Sequence, residues 1–313
     1  MTPAALAAGR VNGFSRVEAV KFSWWPRNDR APAELLEEAQ SAEANGWHGV
    51  WLADHYMPNT GDTTPARGDV YECWALLPAV AAVTARVRIG TLVSPTSVHH
   101  PALLANRAAT IDQLSAGRLV LGIGAGWQIN EHHAYGIELE PPGKRVSRFE
   151  EAITIVRSLL AEDFTTFHGE CYEFTDAPCD PKPVQSPLPL LVGAKGPRML
   201  RITARHASEW NTWQAPDLAD RCRGLAKACE QTGRDRATVW TSVNALIDLD
   251  GRGPSSGRTL AGSPQQLIDQ LGQFAALGFD EFVLPDWNLG TGAAERADRL
   301  ARIKSEVFDQ LPD

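Results

Sequence analysis

The chain has 313 residues, of which 43% are hydrophobic and 22% charged, a composition typical of a soluble globular protein. Its formal net charge of −8 at pH 7 argues against nucleic acid or an anionic membrane as partner, because both bind concentrated basic surfaces. Five cysteines without Cys-x-x-Cys spacing, no bilayer-length apolar stretch and no secretory signal pattern lead us to expect free thiols and a cytoplasmic protein.

Strand and helix patterns alternate along the chain after residues 1–16, which lack periodicity and which we expect to be a flexible lead-in. Apolar runs predict strands at 17–23, 47–53, 87–94, 119–123, 188–193, 209–212, 238–247 and 281–284. Helical patterns lie between and after them, at 35–44, 72–84, 102–114, 145–160, 197–206, 216–232, 264–277 and 294–311.

This order of elements predicts a parallel (β/α)8 barrel, with a doubly wound open sheet as the alternative. Residues 164–174 predict a small hairpin inserted before the fifth strand. The seventh helix has the clearest boundaries, because Ser263 and Gln266 form a capping-box pattern around Pro264, and Gly278 follows its last turn. We see no linker, and we treat residues 17–313 as one domain.

Glycines repeat at the carboxyl end of the fourth strand, at Gly122, Gly124 and Gly126. They leave backbone on which a flat ligand could lie, and the alternative is a tight turn between strand and helix. Their spacing is not Gly-x-Gly-x-x-Gly, so we set a dinucleotide-binding fold aside. Trp127 and Asn130 follow at once, in the place where barrel enzymes carry their sites.

Tryptophans are concentrated at the predicted strand ends, which meet at one mouth in a barrel. We predict a water-poor pocket for a planar or apolar substrate there. The alternative is that several of these side chains cover the core from above. The residues placed in the substrate pocket are Trp24, Trp25, Trp210, Trp213 and Trp287.

Asp54 and His55 form a polar pair at the end of the second strand. A histidine there can exchange a proton near neutral pH, and a flanking carboxylate can fix its tautomer, so both are catalytic candidates. Adjacent strand residues point to opposite faces, however, and both reach the mouth only if the strand has already ended. A structural role for His55 is the alternative.

Residues 193–198 predict an anion site, because a glycine turn opens a helix with Pro197 at its first position. Lys195 and Arg198 add positive charge, and a phosphate is the natural occupant. A rival site lies at 250–259, where Arg252 and Arg258 stand among Gly, Pro and Ser. An ordinary glycine-rich connection is the alternative for both.

Two clusters contain neighbouring histidines, His99-His100 and Glu131-His132-His133. Neighbouring residues on a helix diverge, and neither cluster has His-x-His or His-x-x-x-His spacing. We therefore expect no metal.

Several motifs, in order and spacing, resemble the bacterial luciferase-like family over nearly everything after residue 17. They include Trp51-Leu-Ala-Asp54-His55, Asp112-Gln-Leu-Ser-Ala-Gly-Arg118, Gly122-Ile-Gly-Ala-Gly-Trp127 and Gly262-Ser-Pro264. The resemblance implies a (β/α)8 barrel that binds FMN or its deazaflavin analogue, coenzyme F420, and that often forms dimers. Members that use F420 are most similar in the Gly-Ala-Gly-Trp turn and at 205–213.

The resemblance also implies roles for individual residues. A non-proline cis peptide near Leu92–Val93 would lie behind the ring, with Asp54 and His55 beside it. Gly126, Trp127 and Asn130 would flank the ring. The phosphate of the tail would be held by Gly193, Ala194, Lys195, Gly196 and Pro197. One departure matters: the family's glucose-6-phosphate dehydrogenases carry a glutamate where this chain has Trp127, so we do not transfer their sugar chemistry.

The sequence thus predicts a homodimeric oxidoreductase that transfers a hydride between F420 and an apolar or planar organic substrate, with His55 as proton donor or acceptor. An FMN-dependent monooxygenase served by a separate reductase is the alternative. A non-catalytic flavin-binding barrel is a further alternative.

Overall fold

The computed structural model describes residues 20–251, 253 and 256–311. The predicted lead-in, 1–16, and the start of the predicted first strand lie outside the described residues. Among the residues described, no helix combines the length and apolarity needed to cross a bilayer.

The described chain alternates strands and helices as predicted. The strands are β1 (Lys21–Trp25), β2 (Gly49–Leu52), β3 (Arg88–Thr91), β4 (Ser94–Pro95), β5 (Leu119–Gly124), β6 (Thr165–His168), β7 (Glu173–Ala177), β8 (Leu190–Gly193), β9 (Glu209–Trp213), β10 (Trp240–Asn244), β11 (Leu246–Leu249), β12 (Thr259–Gly262) and β13 (Glu281–Pro285). The helices are α1 (Pro32–Ala44), α2 (Cys73–Val83), α3 (Pro101–Leu114), α4 (Ile129–Ala134), α5 (Pro142–Ala161), α6 (Pro197–His206), α7 (Leu218–Thr232), α8 (Pro264–Ala276) and α9 (Ala293–Glu306).

A closed parallel barrel forms the centre of the described structure. Its strands pair in the order β3-β2-β1-β13-β10-β9-β8-β5, and β3 closes the ring by pairing with β5. This confirms the (β/α)8 prediction over the open sheet. The hairpin β6–β7 lies between α5 and β8 as predicted, and α8 has the predicted capping box.

Four segments differ from the predicted elements. The third strand was predicted to reach residue 94, but barrel pairing ends at Thr91 and resumes with β4 after a cis peptide bond between Leu92 and Val93. The strand predicted at 238–247 is two strands, because β11 leaves the barrel to pair with β12. The short helix α4 was predicted as loop, and the last predicted helix ends at Glu306, before a 3-10 turn.

Side chains alternate along the barrel strands between the lumen and the surrounding helices. The helix side holds the large apolar core. The lumen holds a smaller buried cluster, made of Trp25, Trp51, Leu92, Val120, Leu191 and Val283. Trp24 and Trp25 therefore lie on opposite sides of β1.

The amino-terminal end of the lumen is filled by a buried charged layer. Arg88 pairs with Glu209 and Glu281, and its guanidinium carbon lies 5.9 and 5.8 Å from the ring centroids of Trp51 and Trp240. Both indole N–H groups donate to the Glu281 carboxylate, at 3.0 Å. This packed layer leaves the carboxyl-end mouth as the place for a ligand.

Burial raises the pKa of Glu209 from about 4.5 to about 7, outweighing the lowering by Arg88. Between pH values of about 4.5 and about 7, Glu209 is protonated in the native state but ionised in the unfolded chain. Stability should therefore fall as pH rises from 5 to 8, by on the order of 1 to 3 kcal/mol relative to Glu209→Gln. Denaturant unfolding at four pH values measures this. Glu230→Gln, exposed on α7, is the control, and parallel profiles for wild type and Glu209→Gln would contradict the prediction.

Candidate active site

The floor of the mouth is the Leu92–Val93 segment, and the predicted non-proline cis peptide is confirmed there. A Cβ atom at Gly122 would lie 1.9 Å from the carbonyl oxygen of Thr91, and one at Gly124 would lie 2.8 Å from Cγ2 of Val93. These two glycines therefore make room for neighbouring protein atoms. The expectation that they leave bare backbone for a ligand is corrected: Val93 lies in that space.

Two further glycines lie at the end of β8 and just after β5. A Cβ atom at Gly193 would lie 3.3 Å from Cγ2 of Val93. Gly126 has a φ of 90°, and a Cβ atom there would lie 2.0 Å from Oγ of Ser97, which is itself 2.8 Å from Nε2 of His132. Gly126 is thus required for the turn after β5 to pack against the segment after β4.

Asp54 is fully buried and does not contact the imidazole of His55. Its Oδ2 accepts hydrogen bonds from Nε1 of Trp74 at 2.9 Å, Nε2 of His99 at 2.8 Å and Oγ of Ser94. Burial raises the pKa of Asp54, but these hydrogen bonds outweigh it and hold the pKa below its ordinary value. The prediction that Asp54 fixes the tautomer of His55 is wrong, because the Asp54 carboxylate is hydrogen-bonded to Trp74, Ser94 and His99 instead.

Glu131 orients His55 instead. Its Oε1 lies 3.0 Å from Nδ1 of His55, and its Oε2 accepts the backbone N–H of Tyr56 at 3.0 Å. Because an ionised carboxylate only accepts, Nδ1 of His55 is the donor. Nε2 has no hydrogen bond to any described residue, and the His55 side chain is 25% exposed. The Trp127 ring packs edge-on against the imidazole at 5.4 Å.

The short helix α4 holds Glu131 in place by anchoring the loop that follows β2. Nδ2 of Asn130 donates to the carbonyl of Pro58 at 2.8 Å, and Nε2 of Gln128 donates to the carbonyl of Met57 at 2.9 Å. Oδ1 of Asn130 is buried and has no partner among the described residues. The amide nitrogen of Asn130 therefore has a protein partner, whereas its buried amide oxygen has none among the described residues.

The turn into α6 has part of the predicted anion-site geometry. Gly196 has no atom within 4 Å of the place its Cβ would take, and Lys195 is exposed beside it. Arg198, by contrast, donates to Oγ of Ser147 at 3.0 Å and to Oε2 of Glu150 at 3.2 Å. The expectation that Arg198 adds charge to this site is corrected, because α5 already holds its guanidinium.

Two of the five tryptophans predicted for the substrate pocket lie on the helix side of the barrel. Trp24 and Trp210 are 1% and 0% exposed and belong to the large core. Nε1 of Trp24 donates to Asp286 at 3.0 Å, and Nε1 of Trp210 donates to the carbonyl of Ala194 at 2.9 Å. Strand alternation turns them away from the mouth, so their placement in the pocket is corrected.

The other three form an aromatic wall at the mouth. Trp25, Trp213 and Trp287 have ring centroids 5.1 to 5.6 Å apart. The guanidinium carbon of Arg258 lies 4.9 Å from the ring centroid of Trp213. Arg258, predicted within a rival phosphate site, is thus stacked on this wall, whereas Arg252 lies outside the described residues.

The sequence matches the family model of luciferase-like monooxygenases over residues 19–252. It is 37% identical over 225 residues to an F420-dependent glucose-6-phosphate dehydrogenase of Kineococcus radiotolerans, covering 70% of this chain and 65% of that protein. The corresponding enzyme of Amycolatopsis mediterranei is 38% identical over 179 residues, 56% of this chain and 51% of the relative. The chain thus spans less than two thirds of the length of either dehydrogenase. An uncharacterised Mycobacterium tuberculosis protein is 30% identical over 84% of this chain and 91% of its own length.

Solved structures share the fold. F420-dependent tetrahydromethanopterin reductase from Methanopyrus kandleri has a TM-score of 0.79 at 16% identity, covering 94% of this chain and all of that one. An F420-dependent secondary alcohol dehydrogenase, solved with an F420–acetone adduct, has a TM-score of 0.74 at 20% identity, covering 86% and 93%. A monooxygenase from Streptomyces bottropensis has a TM-score of 0.73 at 22% identity, covering 92% and 99%.

The His55–Glu131 contact predicts a single neutral tautomer, with the proton on Nδ1. In Glu131→Gln the amide can donate as well as accept, so the proton should distribute over both nitrogens. Histidine ¹⁵N NMR measures this, with the His55 signals identified by their loss in His55→Gln. Asp54→Asn is the matched control and should leave the His55 tautomer unchanged; a wild-type proton on Nε2 would contradict the geometry.

Proposed function

Because the chain belongs to the luciferase-like monooxygenase family, we propose that it is an oxidoreductase that transfers a hydride between coenzyme F420 and an apolar or planar organic substrate. The names of its curated relatives support F420 as the cofactor. The observation that carries the proposal is His55, held by the buried carboxylate of Glu131 with Nε2 left open at the mouth.

The residues of the mouth fit a flat cofactor with an anionic tail. Val93 provides an apolar surface, and Gly193 at its border keeps that surface clear of a further side chain. The open space at Gly196 and the first N–H groups of α6 provide an anion site, with Lys195 beside it. The residues proposed to contact the cofactor are Leu92, Val93, Gly126, Trp127, Asn130, Gly193, Ala194, Lys195, Gly196 and Pro197. Asp54, buried against Trp74 and His99, is not among them.

When bound, F420 supplies or accepts the hydride. Nε2 of His55 donates or takes the accompanying proton at the substrate, and Glu131 keeps Nδ1 protonated and stabilises the imidazolium. Asp54 acts as the anchor of the β2 end through Trp74 and His99. These residues supply orientation and a proton path.

The aromatic wall supports the proposed substrate class. Trp25, Trp213 and Trp287 offer planar surfaces rather than the dense hydrogen-bonding groups that a sugar requires. Trp127, 56% exposed beside His55, adds a fourth indole on the opposite side of the mouth. A planar or apolar molecule is therefore favoured over a sugar phosphate.

We further propose that residues 17–313 act as one domain, that the protein is cytoplasmic and, as the family resemblance implies, that it is a homodimer. Sedimentation should give about twice the 34.0 kDa chain mass. A monomer at micromolar concentration would remove the dimer from the proposal.

Titration with F420 and with FMN, followed by fluorescence, tests the cofactor. F420 should bind more tightly, and Lys195→Gln should weaken its binding by about three- to tenfold through loss of one charge-assisted contact, less at high salt. Lys227→Gln, exposed on α7, should bind like wild type. Tight binding of FMN alone, with oxygen consumption when it is reduced, would establish the monooxygenase alternative.

Replacement of His55 tests the proton transfer. His55→Ala should lower turnover by about 10²- to 10⁴-fold, because the general acid or base is lost, and should leave F420 affinity within about twofold. Glu131→Gln should lie between this variant and wild type. Single-turnover absorbance of F420 with a panel of carbonyl and alcohol substrates is the measurement, and wild-type turnover in His55→Ala would exclude His55 from the reaction.

A further inference from the structure

The aromatic wall occupies one continuous arc of the barrel. Trp213 ends β9, Trp287 follows β13 and Trp25 ends β1, and β9, β10, β13 and β1 are neighbours around the ring. Trp25 is 5% exposed and Trp287 is 38% exposed, so the wall extends from the lumen to the rim of the mouth. A planar molecule could stack along it with one end deep and the other near solvent.

Arg258 places a positive charge on this wall. Its guanidinium lies 4.9 Å from the Trp213 centroid and comes from the segment just before β12. Stacking uses the flat face of a guanidinium and leaves its in-plane N–H groups available for a carboxylate. Across residues 20–251, 253 and 256–311, no carboxylate forms an ion pair with Arg258.

Arg221, which donates to the carbonyl of Trp213, and Arg198, at the start of α6, are different, because each already has an acidic partner. Nη2 of Arg221 lies 2.7 Å from Oδ1 of Asp217, and Nη2 of Arg198 lies 3.2 Å from Oε2 of Glu150. Unlike these two arginines, Arg258 can give its donors to a ligand without displacing a carboxylate of the described residues.

The wall also contains an unused donor. Nε1 of Trp25 is buried and has no hydrogen-bond acceptor among the described residues. Buried indole N–H groups normally have a partner, and one left without an acceptor indicates a place for an oxygen atom of a ligand or of an ordered water. The wall thus has large apolar faces and two hydrogen-bond donor groups, the Arg258 guanidinium and the Trp25 indole. In the described residues, the guanidinium has no carboxylate partner and the indole has no acceptor.

From these observations we propose that Arg258 and the wall of Trp25, Trp213 and Trp287 bind the substrate by its anionic end, and that the substrate is a planar or aromatic carboxylate. This rests on the proposed function, which places the reacting centre at the same mouth. The guanidinium binds the carboxylate, and the indoles stack on the skeleton. The anionic tail of the cofactor is the competing occupant, but the proposed site for its phosphate, with its own cation Lys195, is the start of α6.

Binding of 2-naphthoate and of its neutral analogue 2-naphthamide, measured by calorimetry on the full chain with and without F420, tests this. Wild type should bind the carboxylate about tenfold more tightly than the amide. Arg258→Gln should reduce that ratio to about one without changing amide affinity, and Arg258→Lys should restore part of it. Trp213→Leu should weaken both probes, and Arg223→Gln, exposed on α7, should retain the wild-type ratio.

Three outcomes would overturn the inference: no naphthoate binding by wild type at millimolar concentration, an unchanged ratio in Arg258→Gln, or a loss of F420 affinity in that variant with the ratio preserved. The last would assign Arg258 to the cofactor tail. Failure of wild type to bind F420 would reject the proposed function instead, and the ratio measured without F420 would still decide the role of Arg258.

Discussion

The packing of Val93 against glycines is the constraint on which the mouth of this barrel depends. Side chains at Gly122 and Gly124 would overlap the carbonyl of Thr91 and the methyl groups of Val93. Because β5 carries no side chains at these positions, the chain after β3 can leave the barrel plane and place Val93 over the lumen. The floor of the mouth follows from this close approach.

Two histidine–carboxylate pairs lie just beyond the end of β2. Asp54 turns toward Trp74 and His99 and ties the strand to α2 and to the segment after β4. His55 turns the other way and is held by Glu131 of α4, a residue 76 positions further along the chain. One pair is buried and structural, and the other leaves a ring nitrogen open at the mouth. Two adjacent residues beyond the end of β2 thus have separate partners.

Much of the fold could be predicted from local patterns. The bounds of α6 and the capping box of α8 follow from proline, serine and glycine positions, and the barrel follows from the alternation of elements. The opposite placement of Trp24 and Trp25 was also available from the strand period. The helix α4 is not predictable from the sequence, because six residues are too few to show a helical period. In the sequence, Glu131 lies beside two histidines and resembles part of a metal cluster, and its separation of 76 residues from His55 hides their contact. The packing of Val93 against three glycines of two other strands also depends on tertiary structure. The family resemblance predicts only the cis peptide bond at Leu92–Val93.

The account is tested most directly by a crystal structure of the full chain soaked with F420. It predicts the flat ring stacked on Val93, with His55 at its edge and the phosphate on the N–H groups at the start of α6. It also predicts that the face of the ring turned away from Val93 looks toward the aromatic wall. Electron density for the cofactor elsewhere on the barrel, or a ring separated from Val93 with His55 turned away from it, would contradict the proposed site.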